Sequence, residues 1–398
     1  MITGSILSKG ISFLLLCYII GTGNICAQVK NSKAIGPLQF KKRLIASESF
    51  ESVGVFDVNG DGKPDIVSGS FWYEGPDFTT RHYIGDIKRY GEYWDDFSTI
   101  SLDINGDGRL DYITGSWWSD NIRWRENPGN NGEWKEHIID TTGNVECAMG
   151  WDIDNDGTVE IIPNNPGNSL KFYKLEKDVS GKPTGKFMKI VVAPMQGHGL
   201  GFGDINGDGR GDFVVSDGWM EAPMNPLKGK WILHKEFSLG TASVPILVED
   251  VNGDGKGDLI VGQAHGYGLD WYEQKMDKSG KRSWKKHPID PFNSQFHTME
   301  WADIDGDGKK ELITGKRYKA HDIDPGVNDP YGIYYYKWNG ESFTKQIVCY
   351  GSFGIGGKGK GTGIYFSVTD INGDGGKDII VAGKDGLYIF YNEGFAKP

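Results

Sequence analysis

No long stretch of the chain repeats apolar residues at helical spacing. The apolar positions fall instead in short runs broken by Gly-, Asp- and Asn-rich segments, a pattern that predicts strands joined by turns. Four kinds of run recur. The first precedes an acidic loop (Met149-Gly-Trp151, Leu200-Gly-Phe-Gly203, Met299-Glu-Trp-Ala302). The second follows that loop (Asp111-Tyr-Ile-Thr114, Asp258-Leu-Ile-Val261), and the third is aromatic (Asp270-Trp-Tyr-Glu273, Ile333-Tyr-Tyr-Tyr336). The fourth reads aromatic, basic, apolar (Trp134-Lys-Glu-His-Ile138, Trp284-Lys-Lys-His-Pro288, Phe343-Thr-Lys-Gln-Ile347).

The acidic loop sets the period. The pattern Asp-x-Asp/Asn-x-Asp-Gly-x-x-Asp/Glu begins at Asp57, Asp103, Asp152, Asp204, Asp250, Asp303 and Asp370, at intervals of 46 to 67 residues. One four-stranded propeller blade takes roughly 40–50 residues. The prediction is an all-β, seven-bladed β-propeller of four-stranded blades, filling residues 28–398 as a single domain. The last blade lacks a fourth strand after Tyr388-Ile-Phe-Tyr391, and Phe40-Lys-Lys-Arg-Leu-Ile45 near the N-terminus has no blade of its own. Pairing the two closes the ring and removes its exposed edges.

Calcium takes six to eight oxygen ligands, and a tight loop offers side chains at positions 1, 3, 5 and 9 with a backbone carbonyl at 7. Gly at position 6 permits the turn. The expected ligands are Asp57, Asn59, Asp61 and Asp65 in blade one, and Asp103, Asn105, Asp107 and Asp111 in blade two. Blades three and four offer Asp152, Asp154, Asp156 and Glu160, then Asp204, Asn206, Asp208 and Asp212. Blades five to seven offer Asp250, Asn252, Asp254 and Asp258; Asp303, Asp305, Asp307 and Glu311; and Asp370, Asn372, Asp374 and Asp378. Up to seven structural Ca²⁺ ions are expected.

These loops change the meaning of the charge. They hold 23 of the 54 acidic residues, so seven Ca²⁺ would turn the formal −11 into about +3. The acidic balance therefore identifies no basic partner, and no Lys/Arg cluster suggests nucleic acid. Before the repeats, Lys9 precedes an apolar run from Ile11 to Ile20 and small residues to Ala27, which reads as a signal peptide over 1–27 and a secreted or periplasmic protein. A lipid anchor on Cys26 is the weaker alternative. No segment is long and apolar enough for a transmembrane helix. Cys147 and Cys349 fall about three blades apart and are expected as free thiols.

Residues that serve the fold recur in register, and function is sought among those that do not. His82, His137, His234 and His287 recur in fourth strands. His198 and His297 stand six residues before their loop Asp, in the register that holds Glu51 and Glu146 in blades one and three. That register opens the innermost strand, on the face opposite the calcium loops. The loops joining second to third strands reach the same face and carry Trp117, Trp118, Trp219, Glu221, His265 and Lys316-Arg-Tyr-Lys-Ala-His321, the last beside a long insertion. Asp95 and Asp96 enter there too. Aromatic faces beside carboxylates and Arg suit a carbohydrate.

The repeats resemble the FG-GAP/VCBS family, found in integrin α-subunit propellers and in exported bacterial proteins. A second resemblance rests on His297-Thr-Met-Glu-Trp-Ala-Asp-Ile-Asp-Gly-Asp-Gly, Thr314-Gly-Lys-Arg-Tyr-Lys-Ala-His321, Asp324-Pro-Gly326, Gly197-His-Gly-Leu200 and Gly218-Trp-Met-Glu-Ala-Pro223. These look like the propeller domain of aldos-2-ulose dehydratase, which implies elimination of water or an alcohol from a keto-sugar or oxidised glycoside. Such chemistry needs a base, an acid and a charge stabiliser. The catalytic candidates are His198, His297, Lys316, Arg317, Tyr318 and His321. The substrate-binding candidates are Glu51, Asp96, Trp117, Glu146, Trp219, Glu221 and His265. His198, His297, His321 and Glu146 offer an alternative, a further divalent metal acting as Lewis acid. The competing function is a non-catalytic glycan-binding or adhesion propeller.

Overall fold

Each acidic loop ends a short strand and turns the chain back into a wholly buried one. In blade four Leu200–Gly203 runs into the loop and Asp212–Val215 out of it. In blade six Met299–Ala302 and Glu311–Gly315 do the same. The second strand is buried along its full length in every blade, from Asp65–Ser68 in blade one to Asp378–Gly383 in blade seven. Burial on both faces explains its continuous apolar run. The fourth strands, such as Lys135–Thr141 and Phe343–Gly351, mix exposed and half-buried positions, as an outer rim should.

The computed structural model describes residues 36–318, 320–354 and 357–396. Residues 1–27, read above as a signal peptide, and Lys319 lie outside the described residues. The described residues form seven four-stranded antiparallel sheets and one two-stranded ribbon, Arg89–Tyr90 with Tyr93–Trp94, and include no helix. None therefore crosses a membrane as a helix. The first strands stand side by side around the axis. Gly54–Phe56 of blade one touches Ile100–Leu102 of blade two and Ser367–Thr369 of blade seven, and Leu247–Glu249 of blade five touches the first strands of blades four and six. Leu38–Ala46 pairs antiparallel with Gly386–Phe395 and completes the blade-seven sheet.

The apolar core lies between blades. Phe172 of blade three packs against Phe213 and Trp231 of blade four, at ring separations of 6.1 and 6.5 Å. Truncating such a ring to Ala costs about 3–5 kcal/mol. The outer histidines belong to this scaffold. His82, His137, His234 and His287 stack on Trp72, Trp124, Trp219 and Trp271 at 4.0 to 4.5 Å. Each also bonds through Nε2 to a third-strand Glu: Glu74, Glu126, Glu221 or Glu273.

The loops fold around their own carboxylates. Asp57 accepts the N–H groups of Gly60, Asp61 and Gly62. The ninth-position carboxylate closes the turn by accepting the N–H of the second residue, as Asp65 does from Val58 at 2.9 Å. The sixth residue has φ of 82° in Gly62 and 90° in Gly375, a left-handed geometry that only glycine adopts freely. Cys147 and Cys349 are not disulfide-bonded.

Candidate axial site

Three residues that lead into first strands meet at one end of the axis. Glu146 precedes Cys147–Trp151, His198 precedes Leu200–Gly203 and His297 precedes Met299–Ala302. His297 Nε2 lies 2.8 Å from Glu146 Oε1, and His198 Nε2 lies 3.6 Å from the same oxygen. His265 joins from the turn between Asp258–Gly262 and Tyr267–Met276, its Nε2 3.1 Å from His198 Nε2. The ligating atoms of Glu146, His198, His265 and His297 all fall within 4.8 Å of one another. Arg317, just past Glu311–Gly315, bonds Glu51 through Nε at 3.0 Å and approaches Glu146 at 3.6 Å.

The backbone holds these groups in place. Val244 donates its N–H to the His297 carbonyl at 3.0 Å, and Arg317 donates its own to Gln295 at 3.0 Å. Gln295 has φ of 58°, an uncommon conformation for a non-glycine residue, two positions before His297. Its buried side-chain amide has no hydrogen-bond partner. Strain and unpaired polarity of this kind gather at functional sites.

The hydrogen bonds assign the tautomers. His198 Nδ1 donates to the Ala242 carbonyl at 2.8 Å and His265 Nδ1 donates to Asp324 Oδ2 at 3.0 Å. Both Nε2 atoms are thereby turned toward each other and toward Glu146. Metal-binding imidazoles are oriented by the same device, an N–H given to a carbonyl or carboxylate. His297 gives its Nε2 proton to Glu146, which leaves Nδ1 buried and unpartnered.

The charges follow from burial and neighbours. Burial first, and the Arg317 charge second, push His297 down to about 3, so it is neutral. Burial also opposes charge on His198, but the hydrogen bond and charge of Glu146 hold it above its ordinary value. Glu146 is likewise buried, yet His198 and His297 hold it well below the usual carboxylate range. Burial and the His198 charge lower His265. The resulting set is an anionic Glu146, a readily protonated His198 and neutral His265 and His297.

The profile of the FG-GAP-like repeat matches residues 103–163, 152–215 and 250–314. Residues 103–215 and 250–314 are FG-GAP-like repeats. No curated protein matches it. Among solved structures, a chain of the Tc holotoxin pore of Photorhabdus luminescens aligns at 14% identity and a TM-score of 0.34, over 90% of this chain. This chain spans 15% of the length of that one.

The propeller gathers some of the expected residues and separates others. His198, His265, His297, Glu146, Glu51 and Arg317 come together. His321 stacks on His265 at 5.0 Å and is exposed. Lys316 faces away: it bonds the carbonyls of Gly326 and Asp329 and pins the insertion, and burial brings it down to about 8. Tyr318 stacks on Phe353 at 3.7 Å. Trp219 lies buried under His234, and Glu221 pairs with that same His234, so both serve the outer strands. Asp96 is fully buried, and Trp117 is exposed.

Three further residues were not singled out as ligands or catalysts. Trp118 packs against Tyr93 at 5.0 Å, and Tyr93 bonds the Ala320 carbonyl. Lys384 sits 3.8 Å over the Tyr93 ring and 5.6 Å from that of Tyr318. Lys384 occupies the turn between second and third strands of blade seven, the counterpart of the turn that carries His265, and a search of those turns in every blade finds it. Tyr93 belongs to the ribbon before blade two, which has no counterpart in the repeat.

Proposed function

We propose that this is an exported carbohydrate lyase or dehydratase, eliminating water or an alcohol from a keto-sugar or oxidised glycoside at the axial site. The observation that carries the reading is the convergence of His198 and His265 on Glu146, with Arg317 behind. Elimination breaks the C–H bond beside a carbonyl and the C–O bond of the leaving group, and a C=C bond forms. Neutral His265 supplies a lone pair for the proton, and protonated His198 returns one to the leaving oxygen. Arg317 is held by Glu51 and Glu146, and its charge favours an enediolate nearby. His297 keeps Glu146 in place and acts as a positioning residue.

The donor set also fits a divalent cation, held by the two Nε2 atoms and Glu146. Such a cation supplies Lewis-acid polarisation of the substrate carbonyl. Trp118, Tyr93 and Tyr318 offer aromatic faces to a sugar ring. In the same reading the acidic loops hold structural calcium, and residues 1–27 direct export.

The test is incubation of the purified protein with 1,5-anhydrofructose and with 3-keto-glycosides, following enone absorbance. Turnover is expected from the native chain and lost in His198→Gln/His265→Gln with the melting midpoint retained. Full turnover in that double variant would overturn the site.

A further inference from the structure

Two of the seven loops differ from the rest in a correlated way. Blades three and six carry Asp at the third position, Asp154 and Asp305, where the other five have Asn. They also end in Glu160 and Glu311, where the other five end in Asp. Each thus gathers four carboxylates and reaches further with the last.

The third strand facing these loops differs as well. Ile161 pairs with Tyr173 and Leu312 with Tyr336, so the next residues along, Lys174 and Lys337, stand beside the loops. The equivalent position is Glu in blades one, two, four and five, as Glu126 and Glu273 illustrate, and Tyr391 in blade seven. An added carboxylate in the loop is matched by a Glu-to-Lys change across from it, in the same two blades and no others.

The ammonium groups occupy the centre of the ligand set. Lys174 Nζ lies 2.9 Å from Asp154, 2.8 Å from Asp156 and 2.8 Å from Glu160. Lys337 Nζ bonds Asp305, lies 2.6 Å from Asp307 and 3.7 Å from Glu311. These are positions 3, 5 and 9, three of the side chains a calcium ion would take. Basic residues in other loops do not reach so far: Lys63 and Lys256 each bond one carboxylate, the fifth-position Asp of their own loop. Glu160 is fully buried and Lys174 is 16% exposed, so the interaction is little screened.

We propose that Lys174 and Lys337 are built-in cations that replace calcium in blades three and six, leaving five metal-binding loops rather than seven. A tethered ammonium loses no translational freedom on binding. To enter, calcium would have to displace a lysine and leave its charge without these partners. The two loops then keep part of their negative charge offset at any calcium concentration. The proposal rests on the calcium reading of the other five loops.

The experiment is calcium stoichiometry by native mass spectrometry, after chelation and reloading, on the full chain. Five Ca²⁺ per chain are expected, rising to six in Lys174→Met or Lys337→Met and to seven in the double variant. Seven in the native chain would overturn the lysine proposal while sustaining calcium binding. A count that does not rise in variants with native-like circular dichroism would also overturn it. No calcium in any form would instead overturn the calcium reading itself. The native count needs no variant, so a misfolded substitution leaves the test intact.

Discussion

His198 and His265 stand 67 residues apart in neighbouring blades, yet their Nε2 atoms face each other at 3.1 Å because each Nδ1 is committed elsewhere. Two neutral imidazoles so arranged present lone pair to lone pair, which is unfavourable without a shared proton or a cation between them. Cobalt(II) is a visible probe of such a site. The chelated protein is expected to develop the absorption of nitrogen-ligated cobalt, and His198→Ala/His265→Ala to lose it. An unchanged spectrum in that variant would place the metal elsewhere, and no spectrum in the native chain would leave the shared-proton arrangement.

Arg317 and Glu51 form a buried ion pair at 3.0 Å, both at most 3% exposed. Removing one partner strands the other charge, at a cost of about 3–5 kcal/mol. Arg317→Met is therefore expected to lower the melting midpoint and abolish turnover. Adding Glu51→Gln should restore part of the stability and none of the activity. Recovery of both would mean that Arg317 has no part in the chemistry.

Asp96 is fully buried, and burial pushes its carboxyl from 3.8 up to about 6. The sign follows directly. The folded chain binds this proton more tightly than the unfolded one, so the associated stability is complete below about pH 4 and is lost as pH rises toward 6. Asp96→Asn should raise stability at pH 7 by up to about 3 kcal/mol and change little at pH 4. Denaturant melts at the two pH values check this. Destabilisation at pH 7 would show that the Asp96 charge is needed by its surroundings.

Chelation tests the acidic loops as a group. At a hundredfold excess over Kd each bound ion stabilises by about 2.7 kcal/mol, so several together should shift the melting midpoint by on the order of 10 °C. The fall should reverse on adding Ca²⁺. A melt indifferent to chelator would rule out structural calcium.

Much of this is legible in the sequence. The ninth-position carboxylates, the second strands and the outer-strand place of His82, His137, His234 and His287 all follow from a repeated local pattern. Repetition also isolated His198, His297, Glu51 and Glu146 as residues out of register with a scaffold role. What the pattern misplaced were side chains whose direction depends on neighbours. Lys316 and Arg317 are adjacent and both cationic residue types, but Arg317 turns to the axis and Lys316 turns to the insertion. Trp219 and Glu221 sit in a suggestive segment, yet the blade's own fourth strand claims both.

The sequence by itself determined the number of blades, the position of each acidic loop and the strand entries that face the axis, because all three depend on short-range spacing. Tertiary structure alone decided which residues meet. His265 became central through Asp324 and His198, Lys384 arrived from blade seven, and Lys174 and Lys337 entered loops they do not adjoin in the chain. Ring closure brings blades together that are far apart in sequence. The resulting low-dielectric centre, where Glu146, His198 and His297 set one another's charge, has no signature in any one repeat.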